Sequence, residues 1–282
     1  MASPAEKAEV FRALHQRPGV LVLPNAWDVP SARVFEDAGF PAVATSSAGI
    51  MVSNGYPDGE KMPRRELLGV VARIAGRVAI PLSADVVSGY GRSTREVAAT
   101  IEKVVRAGAV GVNIEDLRPT GEGLFRLEAQ LRRLEAVRRA ATASGVPLVI
   151  NARTDAFRHA PGDEAARLQE AIRRARAYRD AGADCVYPMG LTDGGSIATF
   201  VEALRCPVNV MVRKGLPSLA ELETLGVKRV SFGPSASYAA LGLLKRVSRD
   251  VLDRRSFDSL LEGAISFDEL NALAVARKNG LG

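Results

Sequence analysis

The sequence is poor in the residues on which much chemistry at neutral pH depends. Its 282 residues include two cysteines, two histidines and one tryptophan. Cys185 and Cys206 form no CxxC pair, which argues against a disulfide framework and fits a reducing, cytoplasmic setting. His15 and His159 are too few for a histidine-rich metal site or a Ser-His-Asp triad. Any catalysis must therefore rely on carboxylates and arginine, with or without a bound metal.

Long apolar stretches are missing as well. No run approaches the ~20 residues that a membrane-spanning helix requires, and the N-terminus lacks the apolar core of a secretory signal peptide. We therefore expect no membrane partner. Hydrophobic residues make up 47% of the chain and charged residues 25%, as in ordinary globular proteins.

Positive charge is in excess, with a formal net charge of +6. The basic residues cluster in helical stretches, at Arg132-Arg133, Arg138-Arg139 and within 173–179, where acidic residues alternate with them. Aromatic interleaving and the spacings of helix-turn-helix or zinc-finger motifs are absent. The clusters therefore indicate solvated helix faces, and we expect no nucleic-acid partner.

A recurring glycine divides the chain into units. A small residue or Leu, then Gly, then an apolar run occurs at Gly39, Gly108, Gly145, Gly182 and Gly226. Glycine just past a helix end supplies a left-handed cap, so each instance predicts a helix end followed by a strand. The predicted strands are 20–24, 42–46, 80–86, 110–115, 147–151, 184–188, 207–212 and 229–233. The clearest helices between them are 94–107, 127–144 and 164–181.

Eight alternations of strand and helix without a GxGxxG fingerprint predict a (β/α)8 TIM barrel rather than an open, doubly wound sheet. We expect one domain over residues 1–282. An extra amphipathic helix is predicted at 4–16, with Ser3 as its cap and Pro4 at the first helical position. Residues 235–282 form a C-terminal helical appendage of one or two helices, which we expect to pack on a partner subunit.

Polar residues gather where the predicted strands end, and in this fold the active site lies at that edge. Residues two apart on a strand point the same way, which groups Ser83 with Asp85, Asn113 with Glu115, and Asn151 with Arg153 and Asp155. Asp85 and Glu115 could hold Mg²⁺ through oxygen ligands, directly or through water. Arg153 could bind a substrate carboxylate through its planar fork.

A structural reading competes with the functional one, because charged residues at strand ends also cap helices and form ion pairs. For Asp116 and Asp155 the two readings are equally weighted. For Asp85, Glu115 and Arg153 function is favoured, since three charged groups pointing into one apolar barrel are costly unless they serve a ligand. Trp27 is interpreted as a pocket wall, Asn209 as a substrate contact from the seventh strand, and Cys185 as packing.

Several ordered motifs resemble the isocitrate lyase and phosphoenolpyruvate mutase superfamily over roughly residues 10 to 245. They are Ser31-Ala32-Arg33, Ser46-Ser47-Ala48, Asp58, Asp85 with Gly89-Tyr90-Gly91, Ile114-Glu115-Asp116 and Ala152-Arg153-Thr154-Asp155. The resemblance implies a barrel whose C-terminal helix is exchanged between the subunits of a homodimer or homotetramer. It also implies a pyruvate-enolate intermediate supported by Mg²⁺.

Carried over by position, the family's metal ligand falls on Asp85, with Asp58 and Glu115 assisting through water. The substrate-carboxylate binders fall on the backbone and hydroxyl of Ser46, with Ser47 and Ala48, and on Arg153. Two departures stand out. The family's second acid after the metal ligand is replaced by Val87, and the loop 117–124 lacks the Cys and His of the lyase motif.

The expected function is that of a Mg²⁺-dependent lyase or mutase acting on a small 2-oxo acid, resembling oxaloacetate or phosphonopyruvate. Cleavage of isocitrate or methylisocitrate is not expected. The loop 117–124 is the candidate gate, and its Thr120 and Glu122 are placed to contact a leaving group. The alternative is a non-catalytic or repurposed barrel that binds a small carboxylate, as Val87 and the altered loop suggest.

Overall fold

The structure, a computed structural model, describes residues 2–275. Its described strands are all short and parallel, with bounds β1 Leu21–Leu23, β2 Asn25–Ala26, β3 Val43–Thr45, β4 Leu82–Asp85, β5 Gly111–Glu115, β6 Val149–Thr154, β7 Cys185–Pro188, β8 Asn209–Met211 and β9 Arg229–Ser231. Most residues of these strands are buried on both faces, as is usual in an all-parallel sheet.

The strands close into a ring. Strands β2 to β7 pair in chain order, and β8, β9 and β1 form a second parallel group in the order β1-β9-β8. A bridge between Val186 and Val208 joins β7 to β8, and only Pro24 separates β1 from β2. Because β1 and β2 act as one strand interrupted at Pro24, the two groups make one eight-stranded barrel. The predicted TIM-barrel fold is confirmed.

Helices surround the ring. Their bounds are α1 Pro4–Leu14, α2 Val29–Asp37, α3 Ser47–Ser53, α4 Arg64–Ala75, α5 Thr94–Arg106, α6 Leu127–Ala143, α7 Ala156–His159, α8 Glu164–Asp180, α9 Gly194–Leu204, α10 Leu219–Thr224, α11 Ser235–Arg254, α12 Asp258–Leu261 and α13 Phe267–Ala274. In the described part of the chain, none of them is both long and apolar enough to cross a membrane.

The predicted bounds agree with the structure except at particular elements. Strand β6 continues to Thr154, beyond the predicted end at residue 151. Helix α3 begins directly behind β3, where only a turn was expected, because Ser46 caps it by accepting from the Gly49 N–H. The appendage contains three helices within 235–274, and its residues 276–282 lie outside the described part.

The N-terminal helix closes the amino end of the barrel. Its predicted cap is confirmed, since Ser3 accepts from the Glu6 N–H and Pro4 occupies the first turn. Phe11 projects from α1 and is fully buried against the barrel floor. A Cβ on Gly111 would lie 2.5 Å from the Phe11 ring, so this strand position requires glycine.

Two arginines in the basic clusters are not on solvated helix faces, and that expectation is wrong for them. Arg133 is 4% exposed and donates to the backbone carbonyls of Ser88 and Gly91. Arg174 is 7% exposed and pairs with Asp116 and Glu170. Helical charge periodicity cannot separate an exposed arginine from one that reaches inward to anchor a loop.

His15 predicts a specific pH dependence of stability. Burial, and next the charge of Arg229, lowers the pKa of His15 to about 4. Because protonation is easier in the unfolded chain, with a pKa near ~6.5, stability is fully present above that pH and is lost as pH falls toward 4. The loss amounts to about 3 kcal/mol. His15→Phe should flatten the urea-unfolding free energy across this range.

The control is His159→Gln, because His159 is exposed. This variant should retain the pH slope of the wild type. An unchanged slope in His15→Phe would show that other groups cause the acid sensitivity.

Candidate active site

A cavity of about 850 Å³ opens at the carboxyl ends of the strands. Nine of the ten residues predicted for the site line it: Ser46, Ser47, Ala48, Asp58, Asp85, Glu115, Thr120, Arg153 and Asn209. The tenth, Trp27, does not line the cavity and instead packs against the hydrophobic core. The structure thus does not bring Trp27 to the cavity wall, because it lies past the end of β2, in the residues leading into α2.

Asp85 is held in place by three donors. Its Oδ2 accepts from the Ser47 N–H at 3.0 Å, and its Oδ1 accepts from Asn113 Nδ2 at 3.0 Å and from the Val87 N–H at 3.3 Å. Asn113 in turn accepts from Asn151 Nδ2 at 2.8 Å. These donors lie on or just after β3, β4 and β5, so the Asp85 carboxylate is fixed before any ligand arrives.

The loop after β4 is strained and braced. Val87 has a φ of 54° and Tyr90 a φ of 52°, a left-handed conformation that is unfavourable for residues with large side chains. One oxygen of Glu60 accepts from the Ser88 N–H, the Ser88 hydroxyl and the Tyr90 N–H. Glu60 therefore ties this loop to the segment that carries Asp58.

Arg153 lies between two carboxylates. Its Nη1 is 2.8 Å from Glu115 Oε2, and its Nε and Nη2 donate to the two oxygens of Asp155, each at 2.8 Å. Burial opposes its charge, but Glu115 and Asp155 together raise the pKa of Arg153 well above its usual range. The guanidinium thus stays charged and keeps two of its five N–H groups for a ligand.

Asp116 has a structural role. It is fully buried and accepts from Thr154 Oγ1, the Asp155 N–H, the Tyr178 hydroxyl and Arg174. It does not line the cavity. The structural reading therefore holds for Asp116, whereas Asp155 orients Arg153 from behind.

The acidic groups of the cavity interact with one another. Burial raises the pKa of Glu115 well above its usual range, and Asp155, Asp85 and Asp58 add to the increase against the opposing charge of Arg153. Desolvation, followed by the Asp85 charge, raises the pKa of Asp58. Asp58, Asp85 and Glu115 thus repel one another across the same space, which a cation would relieve.

The donor set fits a weakly coordinated hard cation. Within residues 2–275, no group of three His, Cys, Asp or Glu side chains is arranged to hold a metal directly. Magnesium commonly binds proteins through one or two carboxylates and retains several waters. Asp85 is suited to direct contact, while Glu115, already paired with Arg153, and Asp58 are suited to contact through water.

The Ser46-Ser47-Ala48 turn offers fewer backbone donors than expected. The Ser46 N–H donates to the Ala26 carbonyl, and the Ser47 N–H donates to Asp85. The Ser46 hydroxyl oxygen accepts from the Gly49 N–H but its proton can still be donated, and the Ser47 hydroxyl and the Ala48 N–H also remain for a ligand. The backbone contribution predicted for this turn is thus largely used to position Asp85.

Basic side chains surround the mouth of the cavity. They are exposed and stand on loops or, for Arg158 and His159, on the short helix α7: Lys61, Arg118, Arg158, His159, Arg213 and Lys214. Leu117 and Leu124 form an antiparallel bridge that closes the predicted gating loop into a hairpin. Thr120 lies at the tip of this hairpin and lines the cavity, whereas Glu122 does not.

Sequence reasoning missed several residues of the site. Arg229 and Tyr187 line the interior of the cavity, and Glu60 braces it from outside. Arg229 is a charged residue at the start of an apolar strand, and that was the only available signal. Its position inside the barrel follows from its register with Leu21 and Asn209, which a single sequence does not show.

The fold and the site define a (β/α)8-barrel protein with a carboxylate-and-arginine centre at the carboxyl ends of its strands. The family model of phosphoenolpyruvate phosphomutase matches residues 11–252, and the chain belongs to this family.

Relatives span more than one activity. A solved protein of Burkholderia cenocepacia is 39% identical, with a TM-score of 0.88 over 95% of this chain and 96% of that one. Oxaloacetate acetylhydrolase, solved with its product oxalate, is 25% identical, with a TM-score of 0.86 over 97% and 95%. The 2-methylisocitrate lyase of Bacillus subtilis is 29% identical over 214 residues, covering 73% of this chain and 67% of that protein.

The hydrogen bonds that Asp116 accepts predict a large loss of stability when this side chain is removed. Asp116→Ala leaves the buried donors of Thr154, Asp155 and Tyr178 without an acceptor. It also removes one of the acceptors of Arg174, which keeps Glu170 and the Phe125 carbonyl, and it should destabilise the protein by about 3–5 kcal/mol in urea unfolding. The control is Asp193→Ala, which removes an exposed helix cap and should cost about 1 kcal/mol. Equal losses in the two variants would contradict the structural role of Asp116.

Proposed function

We propose that the protein is a Mg²⁺-dependent lyase or mutase that acts on a small 2-oxo acid resembling oxaloacetate or phosphonopyruvate. The observation that carries this proposal is the convergence of Asp85, Glu115 and Arg153 from three neighbouring strands on one cavity. In it, two carboxylates and a guanidinium are fixed by the protein itself and face the same ligand space.

The proposed chemistry places negative charge where these groups can stabilise it. The bond to be broken joins C3, the carbon next to the 2-oxo group, to its carboxylate or phosphonate substituent. That substituent departs without the bonding electron pair, as CO₂ or as a phosphoryl group passed to an oxygen nucleophile, and the pair stays on the remaining fragment as the enolate of pyruvate. A bound divalent cation would supply positive charge near the oxygen on which that charge develops. Arg153 would hold the substrate carboxylate with its two remaining N–H groups, and the Ser46 and Ser47 hydroxyls would complete the cradle.

The loop 117–124 supports the choice among substrates. It carries neither Cys nor His, so it offers no thiol or imidazole to exchange a proton with a leaving group. Thr120 is its one hydroxyl at the cavity. We therefore propose that cleavage of isocitrate or methylisocitrate is not the activity, even though 2-methylisocitrate lyases are among the relatives.

The second candidate is a barrel that binds a carboxylate without turnover. It is favoured by Val87, whose side chain occupies the cavity wall at the position where the superfamily carries a further acid. A weaker cation site would follow from this substitution. Calorimetry with Mg²⁺ and oxaloacetate separates the two candidates, because tight binding without formation of pyruvate supports the second.

Removal of Asp85 tests the first candidate. Asp85→Ala should lower the release of pyruvate from oxaloacetate, phosphonopyruvate or a substituted malate by at least roughly a thousandfold. Circular dichroism should show an intact fold, since the barrel closes through backbone pairing. Asp193→Ala, at an exposed helix cap that does not line the cavity, is the activity control. Normal turnover by Asp85→Ala would show that the cation site is assigned wrongly.

We also propose that the C-terminal helices pack on a second copy of the chain. Helix α11 is twenty residues long, yet only Ser237 and Val247 are buried on it. Its exposed residues, together with those of α12 and α13, are unusually apolar for a free surface: Tyr238, Leu241, Leu244, Leu252, Phe257, Leu261 and Phe267. Exchange of this segment between subunits, as the superfamily resemblance implies, would cover them.

The assembly is tested by light scattering after gel filtration. The wild type should elute as a dimer or tetramer, and the double change Leu241→Glu with Leu244→Glu should shift it toward the monomer, because buried unpaired carboxylates disfavour the interface. Val10→Glu, an exposed position on α1, is the control. A monomeric wild type would overturn the proposal.

A further inference from the structure

A buried arginine without a partner lies inside the barrel. Arg229 is 2% exposed and is the largest of the fully buried side chains. Its Nε and Nη1 have no hydrogen-bond partner, and within residues 2–275 no carboxylate forms an ion pair with it. A buried unpaired charge costs several kcal/mol, so its retention calls for a function.

The surroundings of Arg229 are also incompletely bonded. Ser83 Oγ, Asn151 Oδ1 and Asn209 Oδ1 are buried without partners, and all three residues line the same cavity as Arg229. Buried polar atoms are nearly always paired in native proteins. Four such residues at one place therefore indicate a polar ligand.

The available groups are mostly donors. Arg229 offers its planar fork, and the Ser83 hydroxyl can donate. Asn209 contacts the Ser231 hydroxyl at 3.2 Å, and since a hydroxyl can either donate or accept, this amide can turn its NH₂ toward a ligand. Asn151 is different, because the relay through Asn113 to Asp85 fixes its oxygen as an acceptor. Three donors and a positive charge favour a carboxylate group.

The location of Arg229 separates it from the Arg153 centre. It stands at the first residue of β9, in register with Leu21 and Asn209, whereas Arg153 is in register with Glu115 and Tyr187 nearer the mouth. Its charge acts on His15 at the amino end and on Asp85 at the carboxyl end. Arg229 thus lies on the floor of the cavity, below the proposed catalytic groups.

We infer that Arg229, with Ser83 and Asn209, forms a second anion subsite that takes the distal carboxylate of a dicarboxylic 2-oxo acid. The inference rests on the proposed function, in which Arg153 takes the first carboxylate. It accounts for a second anionic group on the substrate, which oxaloacetate-like dicarboxylates carry. Arg229 binds the group that is not held at Arg153 and sets specificity.

The test compares pyruvate, which has one carboxylate, with the non-reacting dicarboxylate 3,3-difluorooxaloacetate, by calorimetry in the presence of Mg²⁺. Arg229→Met should weaken binding of the dicarboxylate by about 10- to 100-fold, as expected for a lost charged hydrogen bond, and leave pyruvate binding within about threefold. Arg229→Lys retains the charge without the fork and should fall between.

Thermal unfolding of the ligand-free protein separates this role from a structural one. Arg229→Met should leave Tm unchanged or higher, because it removes an unpaired buried charge. Arg174→Met is the matched control, since that buried arginine has its partners in place, and its Tm should fall. A lower Tm for Arg229→Met with an unchanged preference for the dicarboxylate would overturn the inference.

A wrong proposed function and a wrong assignment of the Arg229 subsite can be told apart by experiment. If the wild type binds neither compound with Mg²⁺, the proposed function is wrong, and malonate without metal becomes the probe of the subsite. A rise in Tm with malonate that is lost in Arg229→Met supports the subsite. No malonate effect on the wild type overturns it.

Discussion

The ion pairing of Arg153 with Glu115 and Asp155 is the constraint on which the site depends. One guanidinium in a buried position is bound by two carboxylates, so neither acid can move without leaving the arginine partly uncompensated. Asp116 fixes the backbone of Asp155 from the opposite side. The charge distribution of the cavity is therefore set by the protein before a substrate enters, as electrostatic preorganisation requires.

The same preorganisation explains the strain around the centre. The left-handed Val87 lies two residues after Asp85 and donates its N–H to that carboxylate. Glu60 and Arg133 hold the following residues through three and two hydrogen bonds respectively. Unfavourable backbone conformations persist only where surrounding contacts over-determine them. Here the contacts come from Glu60, in the loop of Asp58, and from Arg133, on helix α6. The loop that holds Asp85 is therefore fixed by residues from two other segments.

The fold could be predicted from the sequence because its signals are local. Glycine at helix ends, apolar strands and capping residues recur along the chain. Asp85, Glu115 and Arg153, which the sequence analysis put at one edge of the barrel, all line one cavity. Contacts between distant segments could not be predicted in this way. Arg133 and Arg174 point inward and Trp27 packs on the core, because their partners lie far away in the chain. Arg229 lies inside the barrel because of its strand register, which also involves distant segments.

Helix α1, at the amino end of the barrel, has a consequence for how ligands enter and leave the cavity. Phe11 fills the space above Gly111, and the apolar cluster around it closes the barrel there. Within residues 2–275, the cavity therefore opens at the carboxyl ends of the strands and is closed at their amino ends. If a substrate is divided inside, the fragment nearer the opening has to depart first, and the inner fragment waits behind it. The shape of the cavity thereby imposes an order of product release that the chemistry alone would not.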